Sequence, residues 1–68
     1  MARIRVRILP SNITREVETE TGCVSEIIRR LGFPRESIVL LYKGEPLLDD
    51  MCLEDGAVVD AYVATSGG

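Results

Sequence analysis

Two glycines at the end of the sequence are the first residues whose types suggest chemistry. Gly67 and Gly68 are the last of 68 residues. Without Cβ atoms they form bare backbone that can adopt any φ/ψ region and enter a channel too narrow for a side chain. The reactive group would then be the carboxylate of Gly68. The alternative is that these residues are simply a frayed polar end. The rest of the sequence is needed to choose between a reactive terminus and a frayed one.

Two cysteines are the other candidates. Cys23 and Cys52 are too few and too far apart for a zinc site, which takes four ligands and usually uses close pairs. Two half-buried thiols acting as small apolar residues are the favoured interpretation, and a persulfide-carrying thiol is an alternative. The chain contains no histidine, the commonest general base and metal ligand. We therefore expect no metal site, and no enzyme, since neither a nucleophile–base pair nor a phosphate-binding loop is present.

Composition indicates one small soluble domain. Hydrophobic residues make up 46% and charged residues 28% of the chain, which is typical of a globular protein. The net charge is −3, the acidic residues are dispersed, and no aromatic residues interleave with the arginines, so nucleic-acid binding is disfavoured. The longest apolar run, residues 38–42, is far too short to span a membrane, and the N-terminus lacks the apolar stretch of a signal peptide. We expect a cytoplasmic monomer without membrane association.

The first twenty residues predict a β-hairpin. Apolar and charged residues alternate over residues 1–9, as a strand with one buried face requires. A period of two recurs over 13–19, with Ile13, Arg15 and Val17 on one face and Thr14, Glu16 and Glu18 on the other, and Pro10-Ser11-Asn12 is a turn sequence. Across the hairpin, arginines could face glutamates as exposed ion pairs, each contributing about 0.2–1 kcal/mol. The residues concerned are Arg3, Arg5, Arg7, Glu16 and Glu18.

A short amphipathic helix follows. Val24, Ile27, Ile28 and Leu31 have the i, i+3, i+4, i+7 spacing of one helix face. Gly32 is placed to end the helix in the left-handed conformation, and a proline two residues later prevents its continuation. The helix must draw its stability from packing, because it has only two to three turns.

The second half of the sequence predicts further strands. Residues 38–43 are rich in β-forming residues, and 46–48 form a short return strand that Pro46 confines to an edge. Residues 49–56 are predicted to form a loop with a 3₁₀ turn, and 57–64 the last strand. Placing the last strand parallel to the first, with the helix crossing one face, satisfies the handedness rule. The prediction is an α+β domain over residues 1–64, a β-grasp roll with a mixed four- to five-stranded sheet and one main helix, followed by a flexible diglycine tail, 65–68. Its predicted core is Ile4, Val6, Ile8, Val17, Val24, Ile27, Ile28, Leu31, Ile38, Leu40, Leu53, Val59, Ala61 and Val63.

At this point the sequence resembles the ubiquitin-like β-grasp family, most closely its prokaryotic sulfur carriers and archaeal small ubiquitin-like modifiers. The resemblance covers the whole chain. It is carried by the strand and turn LLYKGEPL at residues 40–47, by LEDGAVV at 53–59 and by the terminal diglycine motif. Before the glycines, Ala64-Thr65-Ser66 is neutral and small where ubiquitin has basic and leucine residues.

The resemblance implies that the chain is a protein modifier rather than an enzyme. An E1-like adenylating enzyme would activate the Gly68 carboxylate, consuming ATP, and an isopeptide bond would join Gly68 to lysines of target proteins. The chain itself would bind no cofactor. One alternative is a sulfur carrier whose C-terminal thiocarboxylate serves a biosynthetic enzyme in thiamine, molybdopterin or tRNA thiolation. Another is a noncovalent ubiquitin-like binding module.

The resemblance also assigns roles to other residues. A partner-docking surface would include Leu41 and Tyr62 at positions matching the ubiquitin patch, with Val39 and Val58 adjacent by strand alternation; scattered apolar surface residues are the bland alternative. Lys43 is the single lysine and so the one side-chain acceptor for self-conjugation, or simply a solvated strand end. In the ubiquitin arrangement the start of the helix and the loop before the last strand lie together, which makes a disulfide between Cys23 and Cys52 possible.

Overall fold

The computed structural model describes residues 1–64. The predicted diglycine tail, 65–68, lies outside the described residues. Within 1–64 the chain forms five strands, one α-helix and one short 3₁₀ helix. In chain order these are β1 (Ala2–Leu9), β2 (Ile13–Thr19), α1 (Val24–Leu31), the 3₁₀ helix (Arg35–Ser37), β3 (Ile38–Tyr42), β4 (Glu45–Pro46) and β5 (Val58–Val63).

The five strands form one mixed sheet in the order β2-β1-β5-β3-β4. β1 and β5 are parallel, whereas β1 with β2, β3 with β5 and β3 with β4 are antiparallel. A parallel pair cannot be joined by a hairpin, so the chain leaves the sheet through α1 before it returns to pair with β1. The predicted topology, with the last strand beside the first, is the one observed.

The core lies between α1 and one face of the sheet. The predicted stripe of α1 is buried, and so are the alternate residues of β1, with Ile4 and Val6 at 0% exposure. All predicted core residues are buried except Leu53 and Val63, which are partly buried and pack against the core. The prediction missed five buried residues, namely Ala2, Thr19, Gly22, Leu47 and Ala57.

Gly32 ends α1 as its spacing predicted. Its φ is 85°, and its backbone N–H donates to the carbonyl oxygens of Ile28 and Arg29, both at 3.2 Å. A glycine adopts this left-handed conformation without the steric cost that a Cβ atom would add. The position of the glycine therefore fixes where the helix stops.

One local prediction was wrong. The return strand, predicted at 46–48, spans only Glu45–Pro46, although Leu47 N–H still donates to Leu40 O at 2.9 Å and the Leu47 side chain is buried. In the 49–56 loop, Met51 N–H donates to Leu48 O at 3.0 Å and Ala57 N–H donates to Glu54 O at 3.1 Å, which are the i→i+3 hydrogen bonds of 3₁₀-type turns. A 3₁₀ helix that the sequence did not predict lies at Arg35–Ser37.

Within residues 1–64, none of the helices has the length and apolar character needed to cross a membrane.

Candidate functional site: the sheet face opposite the helix

The sheet face opposite α1 has a charged half. Arg3 lies opposite Glu18, and Arg5 lies opposite Glu16, on β1 and β2. Their side chains form the predicted ion pairs, with nitrogen–oxygen distances of 3.3 and 3.2 Å. All four side chains are at least 50% exposed, so water screens these charges and each pair adds little stability.

Arg7 continues this row with a partner that the hairpin pattern did not predict. Its Nε lies 3.1 Å from Asp60 Oδ1, because β5 pairs with β1 in parallel and places Asp60 opposite Arg7. The two residues are 53 positions apart in sequence. Only the register between β1 and β5 could have revealed the pair.

The other half of the same face is apolar. Val39 and Leu9 both lie opposite Tyr62, on β3 and β1 respectively. Val39 is 50% and Tyr62 49% exposed, while Leu9 and Leu41 are partly buried. These four residues, Leu9, Val39, Leu41 and Tyr62, are called the apolar patch below. Leu9, Tyr62 and Val39 form a continuous row across three neighbouring strands, since cross-strand partners on one face have Cβ atoms about 5 Å apart. Leu41 is two residues from Val39 on the same strand and lies opposite Asp60, at the border with the charged half.

The structure brings three of the four predicted docking residues together. Val58 is on the same face and is 54% exposed, but it lies opposite Arg5 in the charged half. Four residues of strand separate it from Tyr62, which corresponds to about 13 Å. Leu9 was missed by the sequence analysis, although it continues the alternation that places Arg3, Arg5 and Arg7 on this face.

The last described residues lie at the apolar end of the sheet. β5 ends at Val63, and Ala64 N–H donates to Ser37 O at 2.7 Å. At this end of the sheet, a crevice of about 310 Å³ is lined mainly by apolar residues. Its lining is Ile8, Leu9, Pro10, Ser11, Phe33 and Val63. The chain is thus held in place up to Ala64, beside the apolar patch. The predicted conjugation residues, Gly67 and Gly68, lie outside the described residues.

Comparison with known proteins decides the fold. No protein-family model matches the sequence. Among solved structures, the solution structure of the N-terminal ubiquitin-like domain in the 4931431F19Rik protein is similar, with a TM-score of 0.71 over 98% of this chain and 78% of that chain. The fold is the ubiquitin-like β-grasp. Sequence identity to that domain is 23%, so the likeness establishes the fold, and function has to be argued from the residues of this chain.

In this ubiquitin-like fold Lys43 occupies the turn between β3 and β4. Lys43 and Gly44 have φ values of 52° and 83°, the left-handed pair typical of a tight hairpin turn. The Lys43 ammonium lies 5.3 Å from the centre of the Tyr42 ring, within the range of a cation–π contact. Lys43 is exposed. Its role as an acceptor for self-conjugation stays a prediction.

The β-grasp arrangement also brings the two cysteines together. Cys23 is the N-cap residue of α1, and Cys52 lies in the loop before β5. In the structure they form a disulfide, with Cα atoms 3.7 Å apart. The thiol interpretation favoured from the residues alone expected both to be half-buried, whereas Cys52 is exposed and only Cys23 is partly buried.

Two ionisable groups near these elements have shifted pKa values. The Glu26 carboxylate accepts hydrogen bonds from the Thr21 hydroxyl and from the backbone N–H of Glu20. Both lower the pKa of Glu26, and the Thr21 hydroxyl has the larger effect. The guanidinium of Arg35 hydrogen-bonds to the Asp49 carboxylate and lowers the pKa of Asp49. Both arrangements attach a loop to a neighbouring helical segment. Within residues 1–64, no group of three or more potential ligands is placed to hold a metal ion.

Proposed function

We propose that this protein is a small ubiquitin-like modifier whose C-terminal glycine is activated by an E1-like enzyme and joined to lysines of target proteins. The observation that carries the proposal is the position of the apolar patch beside the end of β5. Tyr62 belongs to the patch, and Ala64, two residues later, is bonded to Ser37. A partner that binds the patch would therefore meet the chain just before its terminal glycines.

The length of the remaining segment supports this proposal. Four residues, 65–68, follow Ala64, and four residues of extended chain span at most about 14 Å. In the proposed function Gly68 carries the reactive carboxylate, so an enzyme acting on it would approach the body of the domain to within that distance of Ala64. The surface it would meet there includes the half-exposed Tyr62 and Val39, amphipathic and apolar side chains of the kind enriched at interfaces.

The proposed reaction places all catalytic groups on the partner. A carboxylate oxygen of Gly68 attacks the α-phosphorus of ATP and pyrophosphate leaves, which converts a poor electrophile into an acyl adenylate. The amine of a target lysine then attacks the carbonyl carbon, AMP leaves, and the nitrogen loses a proton as the isopeptide bond forms. The small domain presents the carboxylate, and the activating enzyme supplies ATP, metal and base.

Mass spectrometry tests the proposal if trypsin can release a short remnant. No lysine or arginine follows Lys43, so trypsin would leave residues 44–68, 25 residues in all, on a modified lysine. The variant Ser66→Arg would leave only Gly67 and Gly68. Incubating this variant with ATP and extract of the native cells should yield Gly-Gly remnants on target lysines. A variant lacking Gly68 should yield none.

Intact-mass measurement of the unmodified sequence serves as the companion experiment. The exchange of one oxygen for sulfur at the C-terminus, without target adducts, would replace the modifier by the sulfur-carrier alternative, since both would use the same acyl adenylate. Absence of both products, with the Gly68 deletion behaving as the full chain, would leave the noncovalent binding module.

A further inference from the structure

The disulfide between Cys23 and Cys52 joins two backbone segments that are also connected by hydrogen bonds. Val24 N–H donates to Met51 O, and Leu53 N–H donates to Gly22 O, both at 2.9 Å. One hydrogen bond therefore lies on each side of the cysteine pair, which forms an isolated antiparallel bridge. Breaking the S–S bond would leave two thiols side by side on a backbone that is still paired.

The two cysteine residues differ in their exposure to solvent. Cys52 is exposed in its loop, whereas Cys23 is partly buried at the start of α1. Access to the attacked sulfur is one of the factors that set the rate of thiol–disulfide exchange. An external thiolate would therefore reach Cys52 first.

From this arrangement we propose that Cys23 and Cys52 form an exchangeable disulfide, a thiol–disulfide exchange site that takes a dithiol as its reductant. Cys52 is the attacked sulfur, and Cys23 is the leaving and resolving thiol. The proposal does not depend on the C-terminal glycines and so stands or falls separately from the modifier function.

The exchange proceeds in two balanced steps. One thiolate of the dithiol attacks Cys52 Sγ, a new S–S bond forms, and the Cys23–Cys52 bond breaks, with its electron pair going to Cys23 Sγ, which takes up a proton. The second thiolate of the dithiol then attacks the dithiol's first sulfur, which is bonded to Cys52 Sγ in the mixed disulfide. This releases Cys52 as a thiolate, which is protonated. Two electrons have passed to the protein, and the dithiol has become a disulfide.

The paired backbone should make reoxidation of the protein favour the internal disulfide over a mixed disulfide with glutathione. If the reduced protein reacts with oxidised glutathione at Cys52, the neighbouring Cys23 thiolate can displace glutathione and close the disulfide again. Reactive groups held in place in one molecule react as though they were at very high concentration. The reduced protein should therefore return to its internal disulfide without accumulating a glutathione adduct.

The full-length oxidised protein provides the first test. Treatment with dithiothreitol in native buffer, followed by alkylation and mass measurement, should show both thiols without any denaturant. Limiting iodoacetamide on the reduced protein should then label Cys52 about tenfold faster than Cys23, because the greater exposure of Cys52 outweighs the helix N-terminus, which favours the thiolate at Cys23. Trypsin separates the two sites, since Cys23 falls in residues 16–29 and Cys52 in 44–68. Reduction only after unfolding, or faster labelling of Cys23, would overturn the proposal.

Single-cysteine variants provide the second test, with oxidised glutathione as the probe. Cys23→Ser retains Cys52 and should form a stable mixed disulfide, because no resolving thiol remains. Its serine also suits an N-cap position. Cys52→Ser retains the less accessible Cys23 and should react about tenfold more slowly. A mixed disulfide that accumulates on the reduced full-length protein would show that the pair is not held together. The alkylation test on the unsubstituted protein remains decisive if a variant fails to fold.

Discussion

Val39 and Tyr62 lie directly opposite each other on β3 and β5, and each leaves about half of its surface exposed, 50% and 49%. Both belong to the apolar patch, which ends where the described chain ends. On the same face, Val58 is equally exposed at 54% but lies beside Arg5 among the charged residues. Two valines of equal exposure thus sit in chemically different halves of one surface.

This pair of valines gives a matched test of the proposed docking. Val39→Asp should reduce the rate of the proposed ATP-dependent activation of Gly68 about tenfold or more, equivalent to at least about 1.4 kcal/mol, because it places a charge in an apolar contact. Val58→Asp makes the same change on the same face and should leave the rate nearly unchanged. The measurement is pyrophosphate release with the activating enzyme. Equal losses of rate in the two variants would show that the partner contacts the whole face. No loss in either variant would show that the partner docks elsewhere.

The sequence was sufficient to predict which residues share a face, and it could not predict register. Alternation placed Val39 and Tyr62 outward because strand side chains have a period of two, and the resemblance to ubiquitin added Leu41. It could not show that Asp60 lies opposite Arg7, or that Val58 lies opposite Arg5, since both facts depend on the parallel pairing of β1 with β5. The alternation therefore predicted which residues lie on the outer face of the sheet. It could not predict that this face is divided into a charged half and an apolar half.

The sequence also could not predict the long-range contacts of the 49–56 loop. The loop makes local i→i+3 turns, but Met51 O also accepts from Val24 and Leu53 N–H donates to Gly22. These distant partners also bring Cys23 and Cys52 together. From the residues alone, two cysteines 29 positions apart carry no sign of such a pairing.

The disulfide should make a large contribution to the stability of so small a domain. It closes a loop of 29 residues, for which the chain-entropy model gives about 3–4 kcal/mol. Reducing the protein, or replacing both cysteines by serine, should lower the free energy of unfolding by about this amount. Urea unfolding with and without dithiothreitol measures the difference. The double serine variant is the control, and its midpoint should not respond to dithiothreitol.

The close approach of Gly22 to the 49–56 loop predicts a strong effect of a single methyl group. Gly22 has a φ of 74°, and a Cβ atom there would overlap the carbonyl oxygen of Leu53. Gly22→Ala should therefore cost more than the roughly 1–2 kcal/mol of a left-handed alanine, because the Leu53-to-Gly22 hydrogen bond would also be disturbed. Gly32→Ala is the control, since Gly32 has a similar φ of 85° and open space around its Cα. Equal losses of stability in urea unfolding would show that the loop yields to the methyl group.

Glu26 should make stability depend on pH in the acid range. Its pKa is lowered from the usual 4.5, first by the Thr21 hydroxyl, and its side chain is only 12% exposed. Because the folded state binds this proton less readily than the unfolded state, the stabilisation is fully present above pH 4.5 and is lost as pH falls through the lower folded pKa. Glu26→Gln should lower the melting temperature at pH 7 and flatten its fall as the pH drops below 4.5. Glu54→Gln removes a carboxylate from an exposed loop and is the control for the loss of one negative charge. An unchanged slope in Glu26→Gln would show that the contacts of Glu26 with Thr21 and Glu20 do not govern acid unfolding.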